Sequence, residues 1–143
     1  MTVKAILNAK GSDVATTAPA TSMADAVKHL AERRIGALVV QGADDRVVGI
    51  ISERDIVTAL AEHGAGMLAE PVSRFMTRKV VSCGQSETVA SVMERMTSGK
   101  FRHVPVIEDN RLVGIVSIGD VVKHRLGQIE SESAALRDYI LTA

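Results

Sequence analysis

The sequence predicts an α/β (α+β) fold in which two β-α-β-β-α repeats pack sheet to sheet about a pseudo-twofold axis. Three observations predict it. The segment Val48-Gly49-Ile50-Ile51-Ser52-Glu53-Arg54-Asp55-Ile56-Val57 returns 65 residues later as Val113-Gly114-Ile115-Val116-Ser117-Ile118-Gly119-Asp120-Val121-Val122. Upstream the offset is 66, so that Val14–Thr17 matches Val80–Cys83 and Ile35–Val40 matches Phe101–Val106. Finally, each copy orders its apolar periods in the same way, and recurrence at a fixed spacing is the mark of a duplicated structural unit.

Taken in order, each copy opens with a short β segment, Val14–Thr17 or Val80–Cys83. A helix follows. In copy one Ser22 can cap it, with Asp25 three residues on, and Ala26, Val27 and Leu30 fall at helical spacing. In copy two Val89, Val92, Met93 and Met96 do the same. Two strands come next. Copy one has Ala37–Val40 and Val47–Ser52 around the turn Gly42-Ala43-Asp44-Asp45; copy two has Val104–Ile107 and Leu112–Ser117 around Glu108-Asp109-Asn110. A second helix starts at the Asp, over Asp55–His63 or Asp120–Leu126. Alone, one such unit would leave a sheet face exposed, and packing two copies together buries it. The expected organisation is repeat one over 4–66, repeat two over 67–127 and a helical tail over 128–143. Gly64–Arg78 links the copies. In the tail Ile129, Ala134, Leu136, Ile140 and Leu141 are apolar positions that could cap the module or pair with a second chain.

Composition narrows the function. The chain has 143 residues, 46% hydrophobic and 24% charged, enough to build a core. Aromatic residues are 2% and the net charge is zero. Nucleic-acid binders need aromatic platforms or a basic excess, so none is expected as a partner. An anionic ligand must be held by a local site. The single cysteine, Cys83, fits a reducing compartment. The first ten residues lack the pattern of a signal peptide, and no apolar run approaches the ~18 residues of a membrane span. The expected location is the cytoplasm, without membrane insertion.

At this point the residues resemble the CBS-domain family in its tandem, two-copy form, over roughly Lys4 to Leu126. The resemblance rests on Gly49-Ile-Ile-Ser-Glu-Arg-Asp55, Gly114-Ile-Val-Ser-Ile-Gly-Asp120, Arg102-His103-Val104-Pro105-Val106 and the Phe75-Met76-Thr77 lead-in to copy two. It implies two intertwined copies with a cleft on each side, assembly into a homodimer, and adenosine-based ligands. Of these, AMP comes first, with ATP, ADP, NAD(H) and S-adenosylmethionine as alternatives. It also implies a regulatory role toward a separate, unidentified enzyme or transporter.

The chemistry of such a ligand fits residues in both copies. A carboxylate at Asp55 or Asp120 can accept hydrogen bonds from both ribose hydroxyls, and charged acceptors make the stronger kind. Ser52 and Ser117 can bond the ribose or a phosphate, beside helix N–H groups that favour an anion. The strands holding Ala37, Leu38 and Val39, and Val104 and Pro105, can offer backbone to the adenine edge. Pro105 lacks an N–H, which suits an edge or irregular position. Arg54, Lys100, Arg102 and His103 can hold phosphate, Arg best of all through its planar fork. Thr17 and Cys83, ending the first β segments, complete the candidate set. The copies are unequal: Arg54 faces Gly119 in the alignment, and Arg102-His103 faces Gly36-Ala37. Two clefts of different affinity are therefore expected.

Plainer readings stand beside these. The Ser–Asp pairs could simply cap helices. Arg102 and His103 could end a strand in solvent, and Arg54 could make an exposed ion pair worth little. The four histidines and Cys83 show no metal-ligand spacing. Met67, Met76, Met93 and Met96 read as core filler. Gly64-Ala-Gly-Met-Leu-Ala69 follows a helix, so it lacks the strand context of a dinucleotide fingerprint. Ser117 lacks the first Gly of a nucleophile elbow. No enzyme is expected. The alternative to a sensor is a ligand-free dimerisation or adaptor module.

Overall fold

In the computed structural model, which describes residues 1–142, each half is completed by a segment that precedes the other half. The chain begins with helix α1 (Val3–Lys10), followed by β1 (Thr16–Thr17), α2 (Met23–Arg33), β2 (Ala37–Gln41), β3 (Val47–Ser52) and α3 (Glu53–His63). The one-turn helix α4 (Val72–Phe75) leads into α5 (Val89–Gly99), β4 (His103–Glu108), β5 (Arg111–Ser117) and α6 (Ile118–Thr142). Short 3-10 turns lie at Ala43–Asp45 and Ala65–Ala69.

The first-half sheet has the order β1-β2-β3, with β1 parallel and β3 antiparallel to β2. In the second half β4 and β5 pair antiparallel. There the expected strand Val80–Cys83 contracts to a single parallel bridge, Cys83 to Val106. Alternation along β2 sends Leu38 and Val40 into one core. Ala37 and Val39 point to the opposite face and are buried as well. A strand covered on both faces is what sheet-to-sheet packing requires.

Local chemistry accounts for the ends of the elements. Ser22 accepts a hydrogen bond from the Asp25 N–H at the start of α2, and Thr88 accepts one from Ser91 at the start of α5. Both helices stop at a residue in the left-handed region, Arg34 and Lys100. The β4–β5 hairpin turns through Asp109 and Asn110, both at positive φ, as a two-residue turn of the primed type needs.

Two cores result. One contains Met23, Ala26, Leu30, Leu38, Val40, Ile51 and Ala59 of the first half, closed by Met67, Val72 and Met76 from the linking segment. The other contains Cys83, Val89, Val92, Met96, Val104, Val106, Val116 and Val121, closed by Val3, Ile6 and Leu7 of α1. Neither α1 nor α4 is expected from the sequence, because each is too short to display a helical period.

Two further expectations need correction. The helices after the Ser do not begin at Asp55 and Asp120. They begin two residues earlier, at Glu53 and Ile118, because Ser52 and Ser117 make the capping bonds. The expected tail is helical but is not a separate element. It continues α6 without a break, and Ile129, Ala134, Leu136, Ile140 and Leu141 all lie exposed on it. The last expected tail residue, Ala143, lies outside the described residues.

Candidate functional site

Ser52 ends β3 and caps α3, so the repeat's Ser and Asp meet at a helix N-terminus. The Ser52 backbone N–H donates to Asp55 Oδ2 at 2.9 Å and its hydroxyl to the same oxygen at 3.0 Å. The other oxygen, Oδ1, accepts from the Thr77 hydroxyl at 3.1 Å. Thr77 is held in place by backbone bonds in both directions with Ile50. Asp55 is half-buried and remains at the edge of open space.

That space is a cavity of about 880 Å³ between the halves. From the first half come Gly36, Ile50, Ser52, Glu53, Arg54, Asp55, Val57 and Thr58. The lead-in to the second half supplies Thr77, Lys79, Val80 and Val81, and the end of α5 with the start of β4 supplies Gly99 to His103. Three kinds of surface meet there: a carboxylate, an apolar slot of Ile50, Val57, Val80, Val81 and Phe101, and a basic rim of Arg54, Lys79, Lys100, Arg102 and His103. The volume falls within the range of small-molecule sites, ~300–1,000 Å³.

The two halves are tied at the rim. Arg54 Nη1 donates to the Lys100 carbonyl at 2.8 Å, an acceptor left by the end of α5. Gly36 lets the halves close up: a Cβ there would come 3.3 Å from the His103 ring. Burial pushes the His103 imidazole below its ordinary value, against the raising influence of Glu53 and Asp120. Burial thus favours the neutral form of the ring.

The structure brings Ser52, Arg54, Asp55, Lys100, Arg102 and His103 into this cavity, and leaves Thr17, Ala37, Leu38, Val39, Cys83, Val104 and Pro105 outside it. The reason is backbone accounting. β2 is the central strand of its sheet: β3 pairs with it from Ala37 to Gln41, β1 pairs with it at Val39 and Val40, and the Val39 N–H donates to the Ala15 carbonyl. Thr17 pairs with Val40. β4 pairs with β5, and the Pro105 carbonyl accepts from Cys83 N. Cys83 itself lies in the second core, where burial, reinforced by Glu87, pushes its thiol up to about 11. Thr77, Lys79, Val80, Val81 and Phe101 are cavity residues that the sequence reading did not single out as ligand contacts. The signal was present in the Phe75-Met76-Thr77 lead-in, one of the segments that carry the family resemblance.

The equivalent pair in the second half is arranged differently. Asp120 Oδ2 accepts the Ser117 N–H at 2.9 Å, as in the first half. Its further partner is Lys10, whose Nζ lies 2.6 Å from Oδ2 and also donates to the Ile115 carbonyl at 2.9 Å. Burial raises the Asp120 carboxyl, but the bonds from Lys10 and Ser117 and the Lys10 charge outweigh it and hold the group below the ordinary carboxylate value. Among the described residues no cluster of three or more His, Cys, Asp or Glu could hold a metal ion. No helix among them is long and apolar enough to cross a membrane.

Comparison with known proteins places this geometry among others. The family model described as CBS domain matches residues 3–62 and again 72–127. A CBS-domain containing protein from Agrobacterium tumefaciens, solved as a crystal structure, is 51% identical with a TM-score of 0.84, over 87% of this chain and 92% of that one. A CBS domain pair crystallised with 5′-methylthioadenosine and S-adenosyl-L-methionine is 32% identical with a TM-score of 0.78, over 90% of this chain and 98% of that one. A CBS domain protein from Pyrobaculum aerophilum complexed with AMP is 25% identical with a TM-score of 0.75, over 84% and 89%. Among curated relatives, a mitochondrial CBS domain-containing protein of Arabidopsis thaliana is 36% identical over 120 residues, and the chain spans 58% of its length. A longer Arabidopsis relative is 28% identical over 117 residues, and the chain spans 22% of it.

Proposed function

Because this chain belongs to the CBS-domain family, we propose that it is a regulatory module that binds an adenosine nucleotide in the Asp55 cleft and passes its occupancy to a partner protein. One observation carries the reading: a single cavity joins a helix-capping carboxylate, an apolar slot and a basic rim drawn from both halves. Each suits one part of a nucleotide. Asp55 and Ser52 accept the ribose diol. The slot of Ile50, Val57, Val80, Val81 and Phe101 takes the base, whose edge pairs with the irregular backbone at Lys79–Val81. Arg54, Lys100, Arg102 and His103 take phosphate beside the N-terminus of α3.

AMP is the first candidate. The cavity suits one base, one sugar and a short anionic group, and a related domain protein was crystallised with AMP. The complex with S-adenosyl-L-methionine and 5′-methylthioadenosine supports the wider adenosine class, and ATP, ADP and NAD(H) complete the set to be tried. The site lines are drawn from both halves, so a ligand that fits one relative tilt better shifts the population toward it. The partner that reads the tilt is a separate enzyme or transporter. The module is read as a sensor without turnover, as its regulatory relatives are.

A second copy of the chain is the other partner. Val122, Ile129 and Leu136 stand seven residues apart on α6, and Leu126, Ser133 and Ile140 follow each by four. That spacing is a two-helix seam, and its apolar members are all exposed in the single chain.

A ligand-free adaptor is the second reading, favoured by the Lys10 ion pair that engages Asp120. A thermal-shift panel of AMP, ADP, ATP, NAD(H) and S-adenosylmethionine separates the two. A ligand at one hundred times its Kd stabilises the fold by about 2.7 kcal/mol. Asp55→Ala weakens that ligand by ~1.5–3 kcal/mol, the range for hydrogen bonds to a charged group. A flat response to the whole panel leaves the adaptor.

A further inference from the structure

Leu7 and Met76 hold matching places beneath the two glycines of the repeat. Leu7 lies under Gly114 and Met76 under Gly49: a Cβ on Gly114 would come 2.7 Å from Leu7, and one on Gly49 would come 2.6 Å from Met76. Ile115 is then the equivalent of Ile50, and Asp120 of Asp55. After this common point the chain differs. In the linking segment the helix stops at Phe75, and Thr77 turns back along β3. Its N–H donates to the Ile50 carbonyl at 2.8 Å and its hydroxyl to Asp55. At the N-terminus α1 continues to Lys10 and ends at Gly11, whose φ of 96° is a backbone setting that suits glycine.

The added turn brings Lys10 over the second Ser–Asp pair. Its one ammonium takes both acceptors that Thr77 shares out in the first half, the Ile115 carbonyl and the Asp120 carboxylate. The contact is partly sheltered, with the Lys10 and Asp120 side chains 30% and 22% exposed. The aspartate's local company favours it further. Where Arg54 precedes Asp55 and reaches across to the other half, Gly119 precedes Asp120 and brings no charge. Lys10 is thus the cation bonded to that carboxylate, and it stands where a ribose diol would have to donate to the same oxygen.

We propose that Lys10 is a built-in plug of the second cleft, so that the chain takes one nucleotide, at Asp55, and the Asp120 cleft opens when Lys10 is removed. The inference rests on the nucleotide reading above, and its test has one arm that does not. Titration calorimetry with AMP should give one site per chain for the unaltered protein and two for Lys10→Ala and Lys10→Gln. The new site should disappear in Lys10→Ala with Asp120→Ala, while the first disappears with Asp55→Ala. Two sites in the unaltered protein, or one site in both Lys10 variants, would overturn the plug. If neither form binds any nucleotide of the panel, the sensor reading fails, and the ligand-free arm decides the plug alone. In that arm acetic anhydride labels the lysines, followed by mass spectrometry of the peptides. Lys10 should react several-fold more slowly than the exposed Lys4, and Asp120→Asn should bring the two rates together. Equal rates in the unaltered protein would show a free ammonium and overturn the plug.

Discussion

Asp55 and Asp120 hold the same place in the repeat, yet they keep different company: a hydroxyl for one, an ammonium for the other. The difference predicts that Asp55→Ala acts on ligand affinity, whereas Asp120→Ala leaves the first site's affinity unchanged and removes an ion pair. His103 supplies the pH dependence. Its folded value lies below the ordinary 6.5 because the ring is buried. The unfolded chain therefore binds this proton more readily, so stability falls as pH drops from above 6.5 through the folded value. Thermal melts between pH 7.5 and 5 should show that loss, and His103→Gln should flatten it. Asp120 acts lower on the scale. Its depressed folded value stabilises the protein above the ordinary carboxylate pKa, and that contribution fades as pH falls through the folded value. A phosphate beside His103 would raise the ring's pKa, so AMP should bind more tightly at pH 6 than at pH 8. Calorimetry in two buffers of different ionisation heat would detect the proton taken up.

At the scale of elements, the small helices α1 and α4 contribute more than their length suggests. Leu7 is buried against Gly114 and the second core, though it lies more than a hundred residues from β5's end. Leu7→Ala should cost about 2–5 kcal/mol, the range for deleting a buried leucine side chain. Gly49→Ala should also destabilise, by ~1–3 kcal/mol, because its Cβ meets Met76 at 2.6 Å and the Thr77 carbonyl oxygen at 3.0 Å. Chemical denaturation of the two variants checks both. The strands β2 to β5 were legible in the sequence because Val and Ile runs end at turn residues. Helices α2 and α5 were legible from their caps and apolar spacing. The pieces α1 and α4 were not, since one turn or two shows no period and their burial is supplied by distant segments. The same cause hid Thr77 and Lys79 as cavity residues: they lie on the lead-in, and only folding carries that lead-in across to Asp55.

For the molecule as a whole, completion of each core by the other half's lead-in means that the halves do not stand alone. Fragments 1–66 and 67–143, made separately, should lack cooperative unfolding. The first would lose Met67, Val72 and Met76, and the second Val3, Ile6 and Leu7. Mixing them should restore a melt. The exposed seam on α6 belongs to this scale too. Sedimentation should show a dimer, and Leu136→Glu with Ile140→Glu should yield a monomer with its fold intact, because both side chains lie free of the chain's own core. By itself the sequence determined the duplication, the order of the strands and of the longer helices α2, α3, α5 and α6, and the Ser–Asp pair at each helix mouth, because these depend on local spacing and on neighbours within a few residues. Tertiary structure alone decided which strands would have backbone to spare and which carboxylate stays open. Those outcomes depend on what arrives through space: β1 beside β2, and an ammonium 110 residues away in sequence from the aspartate it holds.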